Sequence, residues 1–238
     1  ISYFKNKVFY RTPKEVLKKS WKMIIEKLNK FCLGLLSKTQ QQGIKKGLDK
    51  VFKYERIYLD QLSLKDNMEL FPPILVKMQE RLRRRFQIEW LTKDSSDHLG
   101  SYLSYRRDIP EQKIIMWLNN GCATVMAMDG GDVIGDCWLG IDFMPFPAQA
   151  VAGMLRKQGY AYTFKAYVIP RYRSLGIFPL LIDEQVKLLR MRGMKALFAA
   201  VSPDNTVSRQ SGMNMGFKRI YTLHLFNIMG RDYAKITK

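Results

Sequence analysis

Between residues 12 and 37, six apolar positions fall on one stripe. Leu17, Trp21, Ile24, Leu28, Phe31 and Leu35 recur at alternating spacings of four and three, with Lys14, Lys18, Lys22 and Lys30 off that seam. This is the periodicity of an amphipathic helix. Thr12-Pro13 supplies its start, Gly34 or Ser37 its end, and Gln40-Gln41-Gln42-Gly43 reads as a loop. From Val51 the pattern changes. Val51–Leu59 predicts a strand, and Pro72-Pro73 opens a helix that the spacing carries through Trp90. Residues 97–119 hold a further helical stretch or two, broken at Pro110.

Cys122–Met128, the turn Asp129-Gly130-Gly131 and Asp132–Ile141 predict a β-hairpin. The apolar run Phe143-Met144-Pro145-Phe146-Pro147 and a helix from Ala148 to Lys157 follow, either covering the core or forming an apolar lid. Next come a strand Phe164–Ile169, a helix Leu180–Arg192 closed by Gly193, a strand Lys195–Val201 and a last strand Ile220–Met229. The pattern predicts an α+β mixed sheet, residues 51–238, preceded by a basic helical extension, residues 1–50.

Composition narrows the class. The chain has 238 residues, 47% of them hydrophobic, enough for one good core with an appendage. Cys32, Cys122 and Cys137 are odd in number and widely spaced, which predicts reduced core thiols in a cytoplasmic protein. Only His98 and His224 are present, far apart, so no metal site is expected. No apolar run approaches the length of a membrane span, and the first residues do not read as a signal peptide. The chain begins at Ile1, which leaves room for a short piece upstream.

The net charge of +19 favours anionic partners. Fourteen Lys and Arg lie in residues 1–53, against Glu15, Glu26 and Asp49. The helix of residues 12–37 reads first as a packing or pairing helix. Its sharper readings are a peripheral contact with an anionic membrane, at the inner face, and docking onto an acidic acyl carrier protein. Arg81, Arg83, Arg84 and Arg85 read as a solvated face, with a phosphate or nucleic-acid contact as the sharper alternative. No helix-turn-helix, zinc finger or stacking-aromatic motif surrounds them, so nucleic acid is not expected.

The stretch that carries chemistry is 164–217. A strand ends in Val168-Ile169-Pro170 and runs into Arg171-Tyr172-Arg173-Ser174-Leu175-Gly176-Ile177; a helix, a strand and Asn205 follow, ending in Gly216-Phe217. This order resembles the Gcn5-related N-acetyltransferase (GNAT) family. There, Arg-x-x-Gly-x-Gly/Ala cradles the coenzyme A pyrophosphate on backbone amides at a helix N-terminus. A diphosphate needs converging N–H donors, a turn that tolerates positive φ and a fixed cation, and Gly176 and Arg173 supply the last two.

The resemblance implies a co-substrate-binding set of Val168, Arg171, Arg173, Ser174, Leu175, Gly176, Ile177, Phe178 and Asn205. It gives Val168 the backbone amide that stabilises the thioester oxyanion. Asp204 or Asn205 is a sound N-cap and Gly216 a sound stop. Two departures stand out. Phe178-Pro179 replaces the second small residue, adding bulk and removing one N–H. The Tyr that often protonates the leaving thiolate would fall at Gly212, so Ser208, Ser211 or water would serve, or no protein acid is used.

Transfer to an amine also needs a proton acceptor. Candidates are Glu55, Asp136, Asp142 and His224. Strand alternation puts Asp136 on one face with Ile134 and Trp138, where burial would raise its pKa. Cys122 and Cys137 lie in apolar strand patterns that favour inert thiols over acyl-accepting nucleophiles. The expected activity is N-acyl transfer from acetyl-CoA or acyl-CoA to a small-molecule primary amine by direct attack. The alternatives are a long-chain N-acyl amino acid synthase-like enzyme taking its acyl group from acyl carrier protein phosphopantetheine, and a non-catalytic binding module of the same fold for anionic membrane or nucleic acid.

Overall fold

The computed structural model describes residues 52–64, 73–95, 97–145, 152–228 and 231–238. The predicted helix of residues 12–37, and the extension 1–50 with it, lies outside them, as do Phe146 and Pro147 of the apolar run and residues 148–151 of the helix expected after it. By its internal contacts the chain divides into two units, one of residues 57–222 with Lys238, the other of residues 1–56 and 223–237.

The larger unit is a mixed α/β layer structure, as the apolar pattern predicts. Its sheet runs in the order β2-β3-β4-β5-β6-β1-β7. The strands are β1 Phe52–Ser63, β2 Gln87–Leu91, β3 Ala123–Asp129, β4 Asp132–Gly140, β5 Tyr160–Val168, β6 Ala196–Val201 and β7 Lys218–Ile228. Every described pairing is antiparallel except β5 with β6. That parallel pair needs a crossover, and helix α5 (Ile177–Met191) supplies it. The other helices are α1 Pro73–Arg85, α2 Leu99–Tyr105, α3 Glu111–Asn119, α4 Ala152–Lys157 and α6 Thr206–Asn214.

The β3/β4 hairpin closes through Gly130 and Gly131, both at positive φ between the paired Asp129 and Asp132, as a two-residue turn of this hand requires. The interior of both strands is buried at every position, because α5 covers one face and α2 packs on β4 from the other. Hence the near-continuous apolar run Val125-Met126-Ala127-Met128 where an exposed sheet would alternate. The main core joins these strands to α5 through Val125, Ile134, Cys137, Leu180, Leu181 and Leu197.

Three sequence expectations change. The helix expected through Trp90 stops at Arg85, and Gln87–Leu91 is an edge strand in which Ile88 and Trp90 are more buried than Gln87 and Glu89. That period of two was hidden beneath the arginine run. The first strand extends past Leu59 to Ser63, because Asp60–Ser63 pair with Ala199–Ala196 of β6; tertiary pairing outweighs their polar character. Arg83 is no solvated charge: it bonds Glu184 and, at 2.5 Å, Asp183, holding α1 to α5.

In the smaller unit, the described segments are the start of β1, the end of β7 and an eighth strand, β8 Arg231–Thr237, which the sequence reading missed. His224 is held there by Tyr54 Oη at 2.8 Å and Thr237 Oγ1 at 3.2 Å.

Candidate active site

A strand in the middle of a sheet should be buried along its length. β5 is buried from Ala161 to Phe164 and then exposed at Lys165, Ala166 and Tyr167. Likewise β6 is buried from Ala196 to Phe198 and half-buried from Ala199 to Val201. The cause is the ladder itself. β5 and β6 pair from Tyr160↔Ala196 to Thr163↔Ala199 and no further, while β5 continues on β4 alone. A crevice therefore opens at the carboxyl ends of the one parallel pair, where open α/β sheets place their ligands.

A bulge marks the opening. Trp138 pairs with Phe164 but Asp136 with Tyr167, so Lys165 and Ala166 together oppose Cys137. Lys165 takes φ +51°, and Ser174 takes φ +64° in the loop after the strand; these are the non-glycine residues at positive φ among those described. Each such residue costs about 1–2 kcal/mol, and strain of this kind collects at functional positions. Past the bulge, Ile169 N–H donates to Ile134 O at 3.0 Å. Bonded and non-bonded pairs alternate in an antiparallel ladder, so Gly135↔Val168 is non-bonded and the Val168 N–H turns toward the crevice. The Val168 carbonyl turns the same way and accepts from Arg173 Nε at 3.0 Å.

The loop that follows makes a short 3-10 turn at Pro170–Tyr172 and enters α5 through Gly176 at φ +89°. Its first intrahelical bond is Leu180 N–H to Gly176 O, and Pro179 carries no N–H. The amides of Ile177 and Phe178 are thus those a helix start leaves without intrahelical partners. Phe178 packs against the main core, so its bulk turns inward and its backbone N–H stays with the loop. The φ of +89° favours glycine at 176, and a Cβ there would also press on the flexible end of Met78 of α1, 2.5 Å from its Cε. Gly135 serves the same approach, since its Cβ would fall 2.8 Å from Ile177 Cγ2. Amides, positive-φ glycine and the exposed Arg171 and Arg173 fit a diphosphate. Leu175 and Ser174 lie exposed on the loop.

Asn205 caps α6, its Oδ1 accepting from Ser208 N–H at 3.1 Å, and α6 begins at the same end of the sheet, after β6. Gly212 lies on that helix with Phe217 Cβ 3.7 Å from where a Cβ would stand.

On the opposite face of β4 from Ile177 lies a buried polar cluster that sequence reasoning found only in part. Asp136 is fully buried. Its Oδ1 accepts from Arg106 Nη1 at 2.7 Å and from Tyr105 Oη at 3.2 Å, and its Oδ2 from Tyr102 Oη at 2.7 Å. Trp138 Nε1 donates to Tyr102 Oη at 2.6 Å. Arg106 also bonds Asp108 and, at 2.9 Å, the Lys165 carbonyl of the bulge. Tyr105 Oη lies 2.9 Å from the Tyr167 carbonyl. Burial pushes Asp136 up to about 6, with Arg106 and the tyrosine hydroxyls pulling the other way. Burial also raises Tyr102 and Tyr105. The missed residues Tyr102, Tyr105 and Arg106 carry one faint signal, a Tyr-x-x-Tyr-Arg spacing that puts the two rings on one side of a helical turn.

Glu55 and His224 belong to the smaller unit, and burial lowers His224. The Asp142 carbonyl accepts from Arg156. Burial pushes both Cys122 and Cys137 up to about 12, which keeps them as thiols. Among the described residues no group of His, Cys, Asp and Glu could hold a metal ion, and no helix is long and apolar enough to cross a membrane.

Comparison with known proteins bears on the family and the fold. The model of the acetyltransferase (GNAT) family matches residues 76–217. No curated protein matches the chain. Among solved structures, a functionally unknown conserved protein from Staphylococcus epidermidis ATCC 12228 superposes with a TM-score of 0.50 at 13% identity, over 87% of this chain and 79% of that one. A GCN5-related glucosamine N-acetyltransferase region of a fungal multi-domain GH3 β-N-acetylglucosaminidase gives 0.52 at 12% identity, over 80% of this chain and 23% of that one. At these identities the two structures speak for the fold alone. The chain belongs to the acetyltransferase (GNAT) family and is an N-acyltransferase.

Proposed function

We propose that this GNAT-family chain moves an acyl group from acetyl-CoA or a longer acyl-CoA to a small primary amine by direct attack, in the crevice where β5 and β6 part. The observation that carries this reading is the coincidence, at one strand end, of a stopped ladder, a bulge and a helix start with unpaired amides. In the proposed arrangement the amides of Gly176, Ile177 and Phe178 hold the pyrophosphate, with Arg171 and Arg173 as cations. The Val168 N–H, turned into the crevice, meets the thioester oxygen as charge develops on it. Asn205 orders the start of α6 at the crevice mouth, and Ser208 in its first turn offers the leaving thiolate a hydroxyl in the absence of a tyrosine at Gly212.

A second reading concerns the donor's carrier. Lys77, Arg81, Arg84 and Arg85 are exposed on α1, whose Met78 and Leu82 abut Gly176. A basic stripe beside the phosphate loop suits an acidic acyl carrier protein delivering the thioester on phosphopantetheine. Mass spectrometry of products from an amine library, incubated once with acetyl-CoA and once with long-chain acyl carrier protein, separates the two. Products with acetyl-CoA support the first reading, and products with the carrier protein alone support the second. No product with either overturns both.

A further inference from the structure

Three side chains bond the Asp136 carboxylate, and two of them are sealed. Tyr102 is fully buried, its Oη already accepting from Trp138 Nε1, and Arg106 is 2% exposed. Tyr105 alone of the three reaches the surface, half-buried at the C-terminal end of α2. Its hydroxyl stands 3.2 Å from Asp136 Oδ1 and 2.9 Å from the Tyr167 carbonyl, beside the bulge. One hydroxyl hydrogen serves one acceptor at a time, so it can leave the Tyr167 carbonyl for Asp136. Gly135 faces Ile177 and the phosphate loop, and Asp136, the next residue, faces α2. The donor and the Tyr105 hydroxyl therefore approach the bulge from opposite faces of the sheet.

We propose that Tyr105 is the catalytic group that takes the proton from the incoming ammonium and relays its own to Asp136. This rests on the acyl-transfer reading given above. The ammonium nitrogen loses a proton to Tyr105 Oη as the Tyr105 hydroxyl proton passes to Asp136 Oδ1. The freed lone pair forms the C–N bond at the thioester carbonyl carbon, and the C–S bond breaks with its electron pair on sulfur. The extra proton left on the new amide nitrogen passes to that thiolate, and Asp136 returns its proton to water through Tyr105. Arg106, held by Asp108 and by the Lys165 carbonyl, keeps the carboxylate oriented through the cycle. Asp136 is the positioned proton store; it touches no substrate. The groups that face it are Tyr102, Tyr105 and Arg106 from α2, with Cys137 beside it on β4.

The test is the pH profile of kcat/KM for acetyl-CoA with glucosamine, spermidine and a lysine peptide, for wild type, Tyr105→Phe and Asp136→Asn, with coenzyme A affinity measured by calorimetry. Wild type should hold a plateau above about pH 6, where Asp136 is ionised. Tyr105→Phe should keep its coenzyme A affinity, lose about 10²-fold at pH 7, and rise tenfold per pH unit toward the amine's own pKa, because only free amine then reacts. Asp136→Asn should show the same rising profile. A Tyr105→Phe enzyme that keeps the plateau and the wild-type rate overturns the relay alone. A wild type that acylates none of these amines from acetyl-CoA overturns the acetyl-CoA reading and the relay that rests on it.

Discussion

The two halves of β5 differ in everything but their strand. Tyr160–Thr163 are all paired with β6, Tyr162 and Thr163 with β4 as well, and all but Tyr160 are buried. Beyond Phe164 the strand bulges at Lys165 and Ala166, pairs with β4 alone at Tyr167 and Val168, is exposed for three residues and is braced from behind by Arg106 and Tyr105. In the first half the backbone donors and acceptors serve the fold. In the second, stopping the ladder leaves one side of the strand for a ligand, and the bulge turns it. A binding crevice thus comes from ending a hydrogen-bond ladder early, with side chains replacing the lost strand on one face only.

If the second half depends on its bracing, removing the brace should cost most. Arg106→Ala leaves the buried Asp136 without its cation and the Lys165 carbonyl without its donor. We expect a loss of about 3–5 kcal/mol, read by urea denaturation; a loss comparable to that of a surface arginine would show that the bulge stands without it. Arg173→Ala should instead spare stability and raise the KM for acetyl-CoA by one to two orders of magnitude, as a charge-assisted contact of about 1.5–3 kcal/mol implies. Unchanged donor kinetics would detach the open half from the donor.

Gly176→Ala asks a smaller price of both properties. A non-glycine residue at φ +89° costs about 1–2 kcal/mol, and its Cβ presses on Met78, so both the melting temperature and donor affinity should fall. Asn205→Ala should cost least, about 1 kcal/mol for a lost cap, with donor affinity falling only slightly. A larger effect on affinity than on stability would give Asn205 a direct donor contact.

Stability against pH sharpens the same contrast. Folding raises Asp136 from its ordinary 3.8 to about 6. Its protonated form is favoured in the folded protein, so this contribution is full below about pH 4 and lost as pH rises through about 6. The difference in melting temperature between wild type and Asp136→Asn should change across that window and stay level above it. A flat difference throughout would mean that Arg106 holds the carboxylate ionised.

The loop for which phosphate binding is proposed was legible in the chain because its features are local. Arg173, Ser174 and Gly176 lie in one turn, and Asn205 caps the helix it begins. The hairpin was legible for the same reason, through Gly130-Gly131. The half built on Asp136 was legible only as one carboxylate on a strand face. Its partners lie some thirty residues earlier on α2, and nothing in the spacing of Tyr102, Tyr105 and Arg106 says that they fold onto β4. The extent of β1 and the strand nature of Gln87–Leu91 were hidden similarly, since each is decided by the strand beside it. Phe178, whose bulk departs from the family's small residue, is half-buried and packs against the core, a placement decided by the helix it opens rather than by the loop sequence.

The central claim is that the donor lies on the open half of β5 and the start of α5. Titration of coenzyme A into the isotope-labelled chain, followed by amide chemical shifts, tests it most directly. The account predicts that the largest shifts fall on Val168 and on Gly176, Ile177 and Phe178, while Tyr160–Thr163 stay still. Large shifts confined to other elements, or none at saturating coenzyme A, would contradict it.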